Sequence, residues 1–235
     1  VSGCIGIIPA RGGSRALPGK NIHPLAGRPL IDYTCEAALR AQCLDRVMVS
    51  TDSPEIAGIA RNAGVQAPFQ RPAELAGDEA RSVDVALHAL DWVRDNEGYE
   101  PDSMMLLQPT SPLRTARHID EAWDVFIDRA ADTVVSVVEV PHEYSPYSVM
   151  ELDDDRLTSF WKEPLPFDRF RRQALPALYA RNGPAVLISR VAVMRERGDF
   201  YGEAVFPYFM SRRESVDIDD LDDLMMAELL MGQTE

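Results

Sequence analysis

Cysteine is scarce in this sequence. The 235 residues contain only Cys4, Cys35 and Cys43, and no two of them are spaced as a CxxC pair. An odd count without paired spacing supports neither a disulfide framework nor a thiol zinc site. No run of about 18 apolar residues occurs, so no membrane-spanning helix is expected. Basic residues are also few: 24 Lys and Arg stand against 38 Asp and Glu, for a formal net charge of −14. That balance excludes a general nucleic-acid or anionic-membrane binder, which would carry a basic face. The opening residues show neither a charged leader nor an apolar h-region, so no signal peptide is read and a cytoplasmic location is expected. Neither GxGxxG nor GxxxxGK[ST] is present, which leaves out the dinucleotide fingerprint and the Walker loop.

Against this acidic background the first 31 residues stand out. They hold Arg11, Arg15, Lys20 and Arg28 and no Asp or Glu. A locally basic stretch suits a small anionic ligand even when the whole chain is acidic. Hydrophobic residues make up 46% of the chain, enough for a sizeable core.

Short apolar runs alternate with amphipathic stretches. Cys4–Pro9, Arg46–Ser50, Ser103–Leu107 and Thr133–Val138 read as buried strands. Helices are expected at about Pro29–Ala41, Pro54–Asn62 and Ser82–Asp95, the last with Val83, Ala86, Leu87 and Leu90 at i, i+3, i+4, i+7. Ile119, Ala122, Trp123 and Phe126 mark another at the same spacing. This alternation predicts an α/β fold with a mainly parallel sheet and helices on both faces. Between Pro141 and Pro184 the rhythm gives way to aromatic and proline residues, which reads as an inserted lobe within a single domain spanning 1–235. Alternation resumes at Ala185–Ser189, and an apolar helix is expected at Leu221–Leu230.

Four constellations carry chemistry. Arg11-Gly12-Gly13-Ser14 running to Gly19-Lys20-Asn21 follows the first strand, at the edge of a parallel sheet where ligands bind. Glycine lets backbone N–H groups approach phosphate, and Arg and Lys can hold a triphosphate. Ser50-Thr51-Asp52 ends the second strand, where polar residues either face a site or cap a helix. Gln108-Pro109-Thr110-Ser111-Pro112-Leu113-Arg114 is a rigid turn after a strand, and Gln108 has the donor and acceptor needed to read a base edge. In Ser215-Val216-Asp217-Ile218-Asp219, alternation in an extended segment puts Asp217 and Asp219 on one side, where two hard oxygens suit Mg²⁺. Asp220, Asp222 and Asp223 lie beyond it, at the start of the last helix. No general base is evident, because His23, His88, His118 and His142 are scattered and read as structural.

The segments IIPARGGSRALPGKN, VSTDS, RPAELAGD, LLQPTSPLR, RNG and SVDID occur in that order. Together they resemble the cytidylyltransferases that activate sialic acid and related sugars. The resemblance implies a Rossmann-like nucleotide-binding fold, a dimerisation lobe, a homodimer, and a Mg²⁺-dependent transfer of CMP from CTP to an acidic sugar. It implies that Arg11, Ser14, Lys20 and Asn21 bind CTP, with Arg71, Ser82 and Gln108 at the cytidine. Arg11, Lys20, Asp217 and Asp219 become the catalytic candidates, the two aspartates as metal ligands. Gln108, Arg172, Asn182, Phe200 and Tyr201 fall on the acceptor side, with Arg172 reaching across the dimer.

Two departures lie on that acceptor side. The sialic acid enzymes have a lysine after His-Pro-Leu where this chain reads Ser145-Pro146-Tyr147-Ser148. They have Arg-Pro-Asn-Gly where it reads Ala180-Arg181-Asn182-Gly183. An eight-carbon ulosonic acid or a phosphonate is therefore an alternative acceptor, and a catalytically inactive nucleotide binder is an alternative of another class.

Overall fold

The computed structural model describes residues 3–14, 17–166, 171, 173 and 175–233. A seven-stranded sheet runs through it. Its strands are β1 (Cys4–Pro9), β4 (Arg46–Ser50), β5 (Ser103–Leu106), β6 (Thr133–Glu139), β9 (Tyr179–Arg181), β10 (Leu187–Arg190) and β11 (Val205–Phe209). Two short ladders lie outside it: β2 (Pro24–Leu25) with β3 (Arg28–Pro29), and β7 (Met150–Asp153) with β8 (Arg156–Ser159). The sheet order is β11-β6-β10-β5-β1-β4, with β9 beside β6. β4, β1, β5, β6 and β11 run one way, while β9 and β10 run against them. The sheet is thus mainly parallel, as the alternating pattern predicts.

The helices are α1 (Leu30–Arg40), α2 (Pro54–Asn62), α3 (Ser82–Glu97), α4 (Ala116–Asp128), α5 (Val191–Arg197) and α6 (Leu221–Met231). Side chains alternate along the strands, so each strand feeds two cores. Cys4, Ile8, Val47, Val49 and Ile188 face α1, α2 and α4 through Ile31, Cys35, Ile56 and Phe126. Ile5, Ile7, Met48, Met104 and Leu187 face α3 and α5 through Val83, Leu90 and Met194. Burying each such side chain stabilises the fold by roughly 1.5–3 kcal/mol. This two-faced burial explains why the central strands read as near-continuous apolar runs.

The connection after β1 leads to α1 and β4 on one side. The connection after β5 leads to the strands on the other side. The two loops therefore part at the carboxyl ends of β1 and β5, the position where ligands bind in open α/β sheets.

The inserted segment leaves the sheet after β6 and rejoins it at Tyr179, ahead of the Pro184 boundary expected from the sequence. It carries the β7–β8 hairpin, whose turn uses Asp154 at φ 53°. Leu152, Leu157, Phe160 and Trp161 on and beside that hairpin are exposed.

Candidate active site

The site begins with the loop after β1. Gly12 N–H donates to Asp52 Oδ1 at 2.8 Å, and a Cβ on Gly12 would stand 3.2 Å from the Ser53 side chain. Gly19 takes φ 66°, a left-handed conformation that glycine adopts without strain, and a single 3₁₀ turn follows over Lys20–Ile22. Asn21 is buried and donates from Nδ2 to the Arg11 carbonyl at 2.9 Å, closing the loop on itself.

The loop's far end is held by the chain's last segment. Leu17 packs with Leu25, Leu30, Ile218, Leu224 and Ala227 in a small core of its own. Ile218 is fully buried there, and its N–H donates to the Thr110 carbonyl at 2.8 Å. Lys20 Nζ donates to the Ile218 carbonyl at 2.9 Å and to Asp219 Oδ1 at 3.0 Å. One buried isoleucine thus brings together the glycine-rich loop, the Gln108–Arg114 turn and the aspartate pair, segments far apart in sequence. Asp217 and Asp219 flank it, as alternation requires.

The turn upstream of that segment is fixed by a second network. His118 is buried, and its Nδ1 accepts from Thr115 N–H at 3.1 Å, which leaves Nε2 to face Glu214 Oε1 at 3.0 Å. Burial pushes the His118 pKa down, against the pull of Glu214. Its role is structural, as the sequence suggests.

Ser50-Thr51-Asp52 braces the site. Arg71 is buried and donates from Nε to Ser50 Oγ at 3.1 Å, and also to the Ser50 carbonyl. Desolvation is the main reason its pKa falls to about 10. The helix cap is the neighbouring residue, Ser53, whose side chain accepts from Ile56 N–H. Arg114 is fully enclosed and takes the same kind of role between two loops. Its guanidinium donates to the carbonyls of Gln108 and Ala185 at 3.0 and 2.9 Å and to Thr34 Oγ1 at 2.6 Å. Burial lowers its pKa to about 9.

Six of the seven residues matched to nucleotide binding line one cleft of about 280 Å³: Arg11, Lys20, Asn21, Arg71, Ser82 and Gln108. Ser14 belongs to the same loop but does not line it. Arg11 pairs with Asp78 at 2.7 Å across the cleft. A second cleft of about 480 Å³ adjoins the first, shares Ser82 and Gln108 with it, and is lined by Phe200 and Tyr201. Gln108 Nε2 donates to the Gly183 carbonyl at 3.0 Å, on the boundary between the two.

Asn182 lines neither cleft. Its Oδ1 accepts from Ser136 Oγ at 2.6 Å and its Nδ2 donates to Ser215 Oγ at 2.9 Å, so its amide is committed to the protein. It fixes the loop between β9 and β10. Arg172 lies outside the described residues.

A sequence profile of the cytidylyltransferase family matches residues 5–215. The chain belongs to the cytidylyltransferase family. It is 36% identical over 224 residues to the N-acylneuraminate cytidylyltransferase of Escherichia coli O18:K1:H7, covering 95% of this chain and 51% of that protein. It therefore spans about half the length of that relative. With the CMP-N,N'-diacetyllegionaminic acid synthase of Legionella pneumophila it shares 35% identity over 231 residues, covering 97% of this chain and 95% of that protein. The fold matches that of a CMP:2-keto-3-deoxy-manno-octonic acid synthetase solved with CTP, at TM-score 0.72 and 19% identity over the whole of both chains.

In this member of the cytidylyltransferase family, three arginines line the second cleft: Arg81, Arg181 and Arg197. The sequence reading gave none of them a site role. Arg81 had one available signal, since it directly precedes Ser82 at the start of α3. Arg181 had another, since it stands in the Arg-Asn-Gly segment. Its NH1 donates to the Tyr201 hydroxyl at 3.2 Å, and that bond raises its pKa.

The carboxylates of Asp217 and Asp219 are the candidates for a metal. Asp217 Oδ1 is buried and has no hydrogen-bond partner among the described residues, which fits an oxygen that could take a cation. Desolvation holds the Asp217 pKa above the usual carboxylate range, offset in part by the Thr110 hydroxyl. Among the described residues no group of three or more His, Cys, Asp and Glu converges, so the two aspartates stand as a candidate pair rather than a closed cage.

Proposed function

We propose that this chain transfers CMP from CTP to the anomeric hydroxyl of a nine-carbon acidic sugar of the sialic acid type. The hydroxyl oxygen forms a bond to the α-phosphorus, the bond from that phosphorus to the bridging oxygen of the β-phosphate breaks, and pyrophosphate and a proton leave. The observation that carries this reading is the pair of adjoining clefts. One gathers Arg11, Lys20, Asn21, Arg71, Ser82 and Gln108, and the other is rich in arginine and shares Ser82 and Gln108 with it. A triphosphate in the first and an acid in the second would meet at Gln108. The names of the relatives point the same way, since they carry acylneuraminate and diacetyllegionaminic acid.

In this reading Arg11 and Lys20 turn from Asp78 and Asp219 to the phosphates, where they offset the charge that builds on the α-phosphate and the leaving group. Asp217 and Asp219 would hold Mg²⁺, which when bound neutralises phosphate charge and acidifies the attacking hydroxyl. Arg181, with the hydroxyl of Tyr201 behind it, suits the acceptor's carboxylate. The exposed apolar residues of the inserted segment support a homodimer, with Arg172 reaching the partner's site. Three free thiols suit the cytoplasm.

The test is pyrophosphate release. CTP and each of the other three common nucleoside triphosphates in turn are offered with a panel of acids: nine-carbon acylated, eight-carbon ulosonic, and a phosphonate. Release with CTP and the nine-carbon acids alone is the expected result. Preference for the eight-carbon acid would move the acceptor assignment, and no turnover with any pair would overturn the enzyme reading.

A further inference from the structure

One residue that lines the second cleft belongs to none of the recognised motifs. Arg81 is the N-cap residue of α3, and the next residue, Ser82, lines both clefts. Its own side chain does not bond the end of its helix. It crosses instead to α5, where NH2 donates to the Gly198 carbonyl. Gly198 is the C-cap of α5 at φ 61°, and its N–H closes that helix on the Met194 carbonyl at 2.9 Å. A guanidinium at a helix C-terminus is favourably placed against its carbonyls.

The chain then runs straight into the acceptor wall. Asp199 Oδ1 accepts from Phe200 N–H at 2.6 Å, Phe200 is almost fully buried, and Tyr201 receives the hydrogen bond from Arg181. Behind them the Phe200 carbonyl is held by Thr133 Oγ1 at 2.7 Å and Ser189 Oγ at 2.8 Å. Phe200 and Tyr201 are therefore fixed to the sheet on one side. Arg81 ties the Gly198 end of the same segment to the nucleotide-side helix on the other.

We propose that Arg81 is a positioning residue for the transfer: it fixes the acceptor wall at Gly198–Tyr201 relative to Ser82 and so sets the distance between the bound acid and the α-phosphate. The inference rests on the reading of the second cleft as the acceptor's. Arg81 acts through Gly198 and needs no contact with either substrate. Its neighbouring carboxylate, Asp84, stands 3.7 Å away on the same helix and leaves the bond to Gly198 undisturbed.

The test compares Arg81→Met and Arg81→Lys with the unaltered protein. Calorimetry measures equilibrium binding of CTP alone and of N-acetylneuraminic acid alone, and pyrophosphate release gives kcat and KM for each substrate. Arg81 is exposed, so both variants should fold, and thermal midpoints check this. Arg81→Met should lower kcat by about tenfold, since a misplacement of about 1 Å can cost more in rate, and should raise the dissociation constant and KM for the acid. Its CTP dissociation constant should stay within about twofold, because the nucleotide cleft keeps all its lining groups. Arg81→Lys should recover part of the acid affinity. An unchanged acid constant would overturn the proposal, as would equal losses for CTP and the acid. Should the unaltered protein bind the acid yet transfer nothing, the enzyme reading falls while the binding comparison still decides Arg81. Should it bind no acid, the proposal falls with the acceptor assignment.

Discussion

The two clefts hold their cations in different ways. In the nucleotide cleft each flexible cation rests on a carboxylate: Arg11 on Asp78 at 2.7 Å and Lys20 on Asp219 at 3.0 Å. In the acceptor cleft Arg181 rests on a neutral phenol and Arg81 donates to a carbonyl with Asp84 3.7 Å away, while Arg197 pairs with Glu203 at 2.8 Å. A highly charged triphosphate can displace carboxylates and gain from doing so, because it brings more charge than it removes. A monoanionic acid brings little, so the arginine proposed to meet it, Arg181, is better left without a charged competitor. The difference suggests that each cleft is matched to the charge of what it receives, within a chain that is acidic overall.

The largest test of that comparison is removal of the nucleotide-side cations. Lys20→Ala and Arg11→Ala should each slow turnover by roughly 100-fold, the scale of losing one donor to developing charge. Initial rates of pyrophosphate release at saturating CTP and acid measure this. Near wild-type kcat in both variants would break the assignment. The aspartate pair should follow. Asp217→Asn should lower activity by about tenfold or more and be partly rescued by high Mg²⁺, whereas Asp222→Asn should do little. Asp222 lies in the first turn of α6, where its N–H is capped by Asp220 Oδ1 at 2.9 Å. Equal behaviour of the two variants would break the paired-ligand reading.

The sequence made the nucleotide side far more legible than the acceptor side. Arg11 and Gln108 sit just after apolar strands, so strand periodicity placed them on one sheet edge before any contact was known, and Lys20 follows in the glycine-rich loop that Arg11 opens. Asp217 and Asp219 followed from the alternation around Ile218, though the burial of Ile218 under Leu17 was not readable from local pattern. The acceptor side depends on long-range contacts. Arg81 reaches Gly198 across 117 positions of sequence, and no spacing rule connects them. Asn182 shows the converse: the sequence marks it as special, yet its amide is spent on Ser136 and Ser215. Ser50-Thr51-Asp52 likewise announced polarity at a strand end, and only the hydrogen bonds to Gly12 and Arg71 show that it braces the site.

A smaller effect, of opposite sign, sharpens the comparison. Asp78 competes with phosphate for Arg11, and both side chains are part-exposed, 35% for Arg11 and 38% for Asp78. Partly exposed pairs contribute about 0.2–1 kcal/mol, so Asp78→Asn should lower KM for CTP by roughly two- to threefold without harming kcat. Raised KM would show that Asp78 orders the cleft and does not compete within it.

The smallest expected effect lies on the other side, at Tyr201. Its hydroxyl accepts from Arg181 NH1 at 3.2 Å, a long bond to a neutral partner on an exposed guanidinium. Tyr201→Phe keeps the ring that lines the cleft and removes only this oxygen. A bond of this kind contributes about 0.5–1.5 kcal/mol net, which corresponds to a roughly two- to tenfold change in an equilibrium constant. The long distance and exposure place the expectation at the lower end, a rise of about two- to threefold in KM for the acid. The CTP constant should not move, because among the described residues that hydroxyl is bonded from Arg181 and not from the nucleotide side. The thermal midpoint should not move either, since the ring's packing is retained. Titrating each substrate against a saturating amount of the other separates the two constants. If Tyr201→Phe weakened CTP as much as the acid, the clefts would not recognise their ligands independently, and the contrast between carboxylate-held and neutrally held cations would lose its functional meaning.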